Sequence, residues 1–450
     1  MNYEDAKNKL TFLKQQHLLK YWDSLTIPQR AHLLEQIEKL DIDTLNDQIK
    51  LIHEAMYIAG GSLKPFTSAV HSGNQQLAQD GFRLIREGQL GCLVLAGGQG
   101  SRLRFDGPKG LFPISIIKKK TLLQLVAEKT LAASRQAGKP LLLCIMTSPL
   151  NDDKIQLYFQ QNNNFGLDSA QISFYNQKML PFLDMHGKLF LEATDKIAEG
   201  PDGNGEALTN FYKSGIAQNW ATQGVKYVHV TLVDNPLADP YDAELVGYHA
   251  HKNAQVTLKA TLRRDEKEKV GIIVKENGHV VVKEYSEVPT EEFTARSDGI
   301  LKYTLANLSM FCFSMDFISS IANTQLPLHK AFKATQFLHD SGQTTLSCAP
   351  NAWKYEKMIF DVLPLAQRVE VLVYPREVCF SPLKNAEGLD SGETVQKSLQ
   401  LRDYDIFSEI SQTNSHQGTF ELSQQFYYPT KELKDKWRGV PLPPTPYVAE

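Results

Sequence analysis

Cysteine is scarce: five in 450 residues, at 92, 144, 312, 348 and 379, odd in number, widely spread and mostly inside apolar runs. That pattern excludes a disulfide framework, and no His/Cys grouping has the spacing of a zinc site, so the cysteines read as reduced core thiols. An excess of positive charge is missing too. With 48 Lys and Arg against 51 Asp and Glu the net charge is -3, which supplies no basic field for nucleic acid. Lys118-Lys119-Lys120 is the one basic run and reads as a solvated loop. No apolar run approaches bilayer length, and residues 1–20 mix charges with scattered leucines, unlike a secretion signal. The expectation is therefore a cytoplasmic protein with neither membrane nor nucleic acid as a partner. Internal repeats and low-complexity blocks are absent. Two nucleotide-binding spellings also fail: Gly-Lys-Ser/Thr occurs nowhere, and Leu103 stands where G-x-G-x-x-G needs its third glycine.

At 42 % hydrophobic residues the chain can build a large core with an accessory lobe. Residues 1–88 read as a helical N-terminal lobe, with Leu10, Leu13, His17 and Leu18 and then Leu33, Leu34, Ile37 and Leu40 at helical spacing, and Pro28 in a first turn. From Gly91 the pattern becomes strand, loop, helix. Thr121 and Gln124 form a capping box for a helix that should stop near Gly138, and Leu141 to Met146 is a buried strand. A second unit follows, with a helix from Asp152 to Gln161 and a strand from Gln171 to Tyr175. Alternation of this kind predicts an α/β domain over residues 89–375, with a mainly parallel sheet whose ligands lie beyond the carboxyl ends of its strands. Asn277-Gly278 between two β-rich runs signals a hairpin. Residues 376–450 read as a small C-terminal lobe with a poorly ordered, proline-rich end.

The chemistry concentrates in Leu95-Ala96-Gly97-Gly98-Gln99-Gly100-Ser101-Arg102-Leu103, followed by Pro108-Lys109-Gly110. Glycines after a strand expose backbone N–H groups as a concave array of anion donors, and Arg102 and Lys109 add mobile cations. Asp234 ends the apolar run Tyr227 to Val233, where a carboxylate can meet a metal that also binds phosphate oxygens. His229, within that run, reads as a structural histidine.

These residues resemble the signature of the sugar nucleotidylyltransferases and, in this longer form, the eukaryotic-type UDP-N-acetylhexosamine pyrophosphorylases of the UDP-sugar pyrophosphorylase family. The resemblance extends over most of residues 90–395. It includes Gln177 ahead of Met179-Leu180-Pro181, Pro201-Asp202-Gly203-Asn204-Gly205, Glu284-Tyr285-Ser286-Glu287, Asn307, Lys354-Tyr355-Glu356-Lys357 and Ser381-Pro382-Leu383-Lys384-Asn385. It implies a Rossmann-like, mixed and mainly parallel nucleotidyltransferase (GT-A-like) domain between the two lobes. It further implies uridylyl transfer from UTP to an N-acetylhexosamine 1-phosphate, assisted by Mg²⁺ or Mn²⁺, with pyrophosphate leaving.

In that frame Arg102, Lys109 and Lys384 are the catalytic cations. Leu95, Ala96, Gly97, Gly98, Gln177 and Gly203 bind UTP, with the Gln177 amide reading the uracil edge. Asn204, Glu284, Tyr285, Asn307 and Lys354 hold the sugar phosphate, and Asp234 holds the metal. Three places depart from the family pattern: Arg104 replaces a glycine after Arg-Leu, Glu206 replaces a glycine after Pro-Asp-Gly-Asn-Gly, and Tyr303 to Asn307 keeps only its last Asn. Hexose 1-phosphates without the acetamido group remain open as acceptors, as does a UTP- or UDP-sugar-binding regulatory protein with weak turnover. The sequence carries no signal of oligomeric state.

Overall fold

The buried run Leu90–Leu95 forms an inner strand of a large mixed sheet in the computed structural model, which describes residues 1–54, 63–339, 342–413 and 418–449. Across the sheet the strand order is Val70–His71, Val369–Val373, Val256–Leu262, Leu305–Ser314, Tyr227–Leu232, Leu90–Leu95, Leu143–Thr147 and Ile172–Asn176. Neighbours pair in parallel except at Leu305–Ser314, which runs antiparallel to both Val256–Leu262 and Tyr227–Leu232. The expected mixed, mainly parallel sheet is therefore present. One antiparallel strand in its middle brings an amino-terminal half to the edge where the parallel strands end. A register shift opposite Lys259/Ala260, with Ser309 at φ 53°, bends that half.

Local signals place the neighbouring elements. The helix Leu122–Ala137 begins where Thr121 Oγ1 accepts from the Gln124 N–H at 3.0 Å and stops at Gly138, φ 68°. The hairpin Ile272–Glu276 to His279–Lys283 turns at Asn277 and Gly278, both at positive φ. The helix Gln75–Arg86 packs on Ala243–His251 so closely that a Cβ at Gly81 would lie 1.7 Å from Ala243 O, and one at Gly247 would lie 1.9 Å from Leu77 O.

The chain forms two compact units that interleave along the sequence. One contains the described residues of 1–60, 178–206 and 326–358, and the other those of 61–177, 207–325 and 359–450. In the first unit the helices Tyr3–Phe12, Ile27–Lys39 and Ile42–His53, with the helical turn Gln16–Leu19, bury Leu10, Leu18, Leu33, Ile37 and Leu45 against Leu180, Leu183, Leu189, Ile197 and Tyr355. Expected boundaries at 88 and 375 do not fall where these units divide. The helix Gln75–Arg86 belongs to the sheet unit, and residues 55–62 lie outside the described residues. Amphipathic spacing shows that a helix has an apolar face, but not which distant segment covers it.

The C-terminal part of the sheet unit packs Ile406, Phe407, Phe420, Phe426 and Leu433 together. Its end, expected to be poorly ordered, instead pairs Tyr447–Val448 in parallel with Glu421–Leu422, and Val448 is buried. Four of the five cysteines are buried as expected, and Cys348 is exposed. Gly247→Ala and Gly81→Ala should each lower unfolding free energy by at least about 2 kcal/mol, the upper part of the usual cost of overpacking, because each Cβ meets backbone rather than a side chain that can yield. Urea denaturation of the two variants checks this.

Candidate active site

The glycine loop starts at the carboxyl end of Leu90–Leu95. Leu95 remains in the sheet, its carbonyl accepting from the Val233 N–H at 3.1 Å, and the Ala96 N–H donates to Met146 O at 2.8 Å. Beyond this point the backbone N–H groups of Gly97, Gly98, Gln99, Ser101 and Arg102 meet no acceptor among the described residues. The carbonyls of the same loop are taken. Asn151 Nδ2 donates to Ala96 O at 3.0 Å and to Gly98 O at 3.3 Å, Ser148 Oγ donates to Gly97 O at 3.0 Å, and the Lys109 N–H donates to Gly98 O at 3.0 Å. A loop whose oxygens are tied down while its N–H groups stay unpaired is a ready anion cradle.

Gln177 lies against this cradle. It is buried, its N–H donates to Thr147 O, and a Cβ at Gly97 would come within 2.6–2.7 Å of the atoms of its amide. Only glycine lets that amide approach the main chain so closely.

Lys109 is carried by a one-turn helix, Lys109–Leu111, pressed onto Leu122–Ala137 at Gly110, where a Cβ would lie 2.6 Å from Leu123. Its Nζ reaches Asp234 Oδ2 at 3.2 Å, and both side chains are largely buried. Asp234 Oδ1 is buried without a hydrogen-bond partner among the described residues. Asp234 O accepts from the Leu383 N–H at 2.7 Å, which sets Lys384 next in the chain beside the Asp234 turn. Arg102 is exposed in the loop. Arg104, two residues on, adopts the left-handed conformation (φ 54°) and pairs through Nη1 with Glu387 Oε1 at 2.9 Å. A left-handed backbone is what the glycine usual here in the family would supply without strain.

Glu284 and Asn307 come together at Gly271, where a Cβ would lie 3.1 Å from Glu284 Oε1 and 3.7 Å from Asn307 Cβ. Asn307 Oδ1 accepts from the Ser309 N–H at 3.1 Å in the bent half of the antiparallel strand. Tyr285 is exposed, with Lys269 Nζ 5.9 Å from its ring centre. His229 is fully buried with Nδ1 3.1 Å from Pro240 O, and burial lowers its pKa to about 4. It is a structural histidine, as expected.

Gly203, Asn204 and Lys354 belong to the other unit. There Gly203, at φ 87°, bridges to Lys357, and the Lys357 N–H donates to Asp202 O at 2.7 Å. Lys354 lies over the Phe182 ring at 4.3 Å, and burial, then the neighbouring Lys333, holds its pKa below the usual lysine value. Glu206 pairs with Lys357 and, at 3.1 Å, with Lys178. Beside this pair the Asp202 carboxyl is buried, and burial together with the Glu206 charge raises its pKa to about 7.

Sequence reasoning missed Ser148 and Asn151, which hold the loop carbonyls, and the Glu206–Lys357 pair. A Ser and an Asn just past a buried strand were the only available signal for the first two. Nothing local could announce a pair separated by 151 residues.

An anion-type loop at the carboxyl edge of a mixed α/β sheet, with the Lys109–Asp234 pair beside it, defines the class of site. The model of the UTP–glucose-1-phosphate uridylyltransferase family matches residues 41–391. This chain belongs to that family. It is 31 % identical over 428 residues to the human UDP-N-acetylhexosamine pyrophosphorylase-like protein 1, covering 89 % of this chain and 84 % of that one. The UDP-N-acetylglucosamine pyrophosphorylase of Saccharomyces cerevisiae is 30 % identical over 413 residues, covering 85 % and 86 %. The crystal structure of the uridine diphosphate N-acetylglucosamine pyrophosphorylase from Trypanosoma brucei superposes with a TM-score of 0.83 at 23 % identity, covering 99 % and 97 %, which establishes the shared fold.

The raised Asp202 pKa has a sign that can be measured. Between the unfolded value of 3.8 and about 7 the folded state binds the extra proton, so this residue costs stability progressively as pH rises through that window, and fully above it. Asp202→Asn should therefore raise the melting temperature at pH 8 and change it little at pH 4, in thermal melts at the two values.

Proposed function

We propose that this chain transfers a uridylyl group from UTP to an N-acetylhexosamine 1-phosphate, with N-acetylglucosamine 1-phosphate as the favoured acceptor, releasing pyrophosphate. The observation that carries this reading is the set of unpaired N–H groups of Gly97, Gly98, Gln99, Ser101 and Arg102, in the loop whose Gly98 carbonyl accepts from the main chain of Lys109, the lysine of the Lys109–Asp234 pair. Names of the relatives support the acceptor class, and the glucose 1-phosphate in the family's name keeps plain hexose 1-phosphates in the test panel.

In this reading the sugar phosphate oxygen attacks the α-phosphorus of UTP in line as pyrophosphate leaves. A phosphate dianion is already a competent nucleophile, so the protein's task is alignment and charge neutralisation rather than general-base catalysis. The glycine-loop donors hold the triphosphate oxygens, and the Gln177 amide pairs with the uracil edge. Arg102, with its planar fork, and Lys109 take the charge developing on the leaving pyrophosphate. Lys384 serves the α-phosphate. Within the sheet unit Glu284, Tyr285 and Asn307 serve the sugar phosphate; in the other unit the family pattern gives Gly203 to UTP and Asn204 and Lys354 to the sugar phosphate.

Asp234 fits a Mg²⁺ or Mn²⁺ ligand, because Oδ1 is buried and unpartnered while Oδ2 faces Lys109. No group of three or more His, Cys, Asp or Glu able to hold a metal exists among the described residues, so phosphate oxygens would complete the coordination. When bound, the ion supplies neutralisation of triphosphate charge. No described helix is long and apolar enough to cross a membrane.

Pyrophosphate release measured with UTP, Mg²⁺ and a panel of sugar 1-phosphates tests the reading. Release should be fastest with N-acetylglucosamine 1-phosphate. UTP binding without release for any sugar would favour a regulatory protein instead. Asp234→Ala should lose more than about tenfold in turnover with excess Mg²⁺, or ~1.4 kcal/mol. A smaller loss would remove Asp234 from the metal site.

A further inference from the structure

Asn235 follows the proposed metal carboxylate, and its side chain caps nothing local. It is buried, and both ends of its amide are committed to one distant segment: Nδ2 donates to Cys379 O at 2.7 Å, and Oδ1 accepts from the Ser381 N–H at 3.0 Å. Two residues on, the Leu383 N–H donates to Asp234 O at 2.7 Å. These bonds lay residues 379–383 alongside 234–235, and Lys384 is the next residue.

A lysine ammonium sits on a flexible stem, so its position is only as well defined as the backbone that carries it. That backbone is held to the Asp234 turn by the two Asn235 amide bonds and by the Leu383–Asp234 main-chain bond, and on its far side the Lys384 N–H donates to Asp390 O at 2.8 Å. Of the bonds to the turn, those of Asn235 are the ones made by a side chain. The Asp234 carboxylate hangs from the same turn. Asp at this position could still accept from Ser381 but would set oxygen against oxygen at Cys379. Only an amide offers the donor and the acceptor together.

We propose that Asn235 is a positioning residue that fixes the Lys384 ammonium relative to the Asp234 carboxylate, so that cation and carboxylate meet the reacting phosphate together. This rests on the role given to Lys384 above. It predicts an effect on the chemical step rather than on capture of UTP, whose cradle lies in the glycine loop.

The test is a double-mutant cycle on pyrophosphate release, with kcat, KM for UTP and melting temperature measured for Asn235→Ala, Lys384→Ala and the double variant. Asn235→Ala should lower kcat at least about tenfold while KM for UTP stays within about threefold. Added to Lys384→Ala, it should cost less than about threefold more, because the group it positions is already gone. Losses that multiply in the double variant, or an unchanged kcat in folded Asn235→Ala, overturn the inference and leave the role of Lys384 standing. Wild-type activity of Lys384→Ala overturns that role and the inference with it. If the alanine variant does not fold, Asn235→Asp is read by the same criteria, since it keeps the acceptor for Ser381 and sets an oxygen against Cys379 O in place of the donor.

Discussion

The site depends on the tying back of three carbonyls. Ala96, Gly97 and Gly98 turn their oxygens toward Asn151, Ser148 and the Lys109 N–H, which leaves the N–H groups of the loop facing away without acceptors. A peptide unit is planar, so fixing its oxygen fixes the direction of the N–H on its far side. Gly98, Ser101 and Arg102 are exposed, so their donors face solvent, where an anion can reach them. The same Lys109 then reaches Asp234 with its side chain, so one residue closes the loop and brings a cation to the carboxylate. Through Asp234 and Asn235 the arrangement extends to the segment that carries Lys384.

Much of this was legible in the sequence because the signals were local. The glycine loop, the capped helix after Thr121, the Asn277-Gly278 hairpin and the buried strands each follow from a few adjacent residues. Family resemblance added Gln177 and Glu284, and in the structure these touch the positions of Gly97 and Gly271 respectively. What stayed hidden was non-local. The apolar faces of the first helices are covered by residues 180–197 and 355, the helix Gln75–Arg86 joins the sheet unit through two glycines, and the tail returns to pair at Glu421–Leu422. No periodicity or composition specifies such partners.

Two departures from the family pattern acquire physical meaning. Arg104 holds a left-handed backbone that a glycine would adopt without strain, and it spends its guanidinium on Glu387. Both groups are well exposed, so the pair adds little stability. Glu206 brings a carboxylate to Lys357 and Lys178, and its charge adds to burial in raising the Asp202 pKa. The electrostatics around the Pro201 to Glu206 loop therefore differ from those of a relative with glycine at 206.

The central claim is that the side chains anchoring the loop carbonyls create the anion cradle. Calorimetric titration of UTP into Asn151→Ala and wild type tests it most directly, since Asn151 is placed to orient the loop without itself contacting the nucleotide. The account predicts a Kd at least about tenfold weaker, ~1.4 kcal/mol, in a variant that remains folded. An unchanged Kd in the folded variant would contradict it.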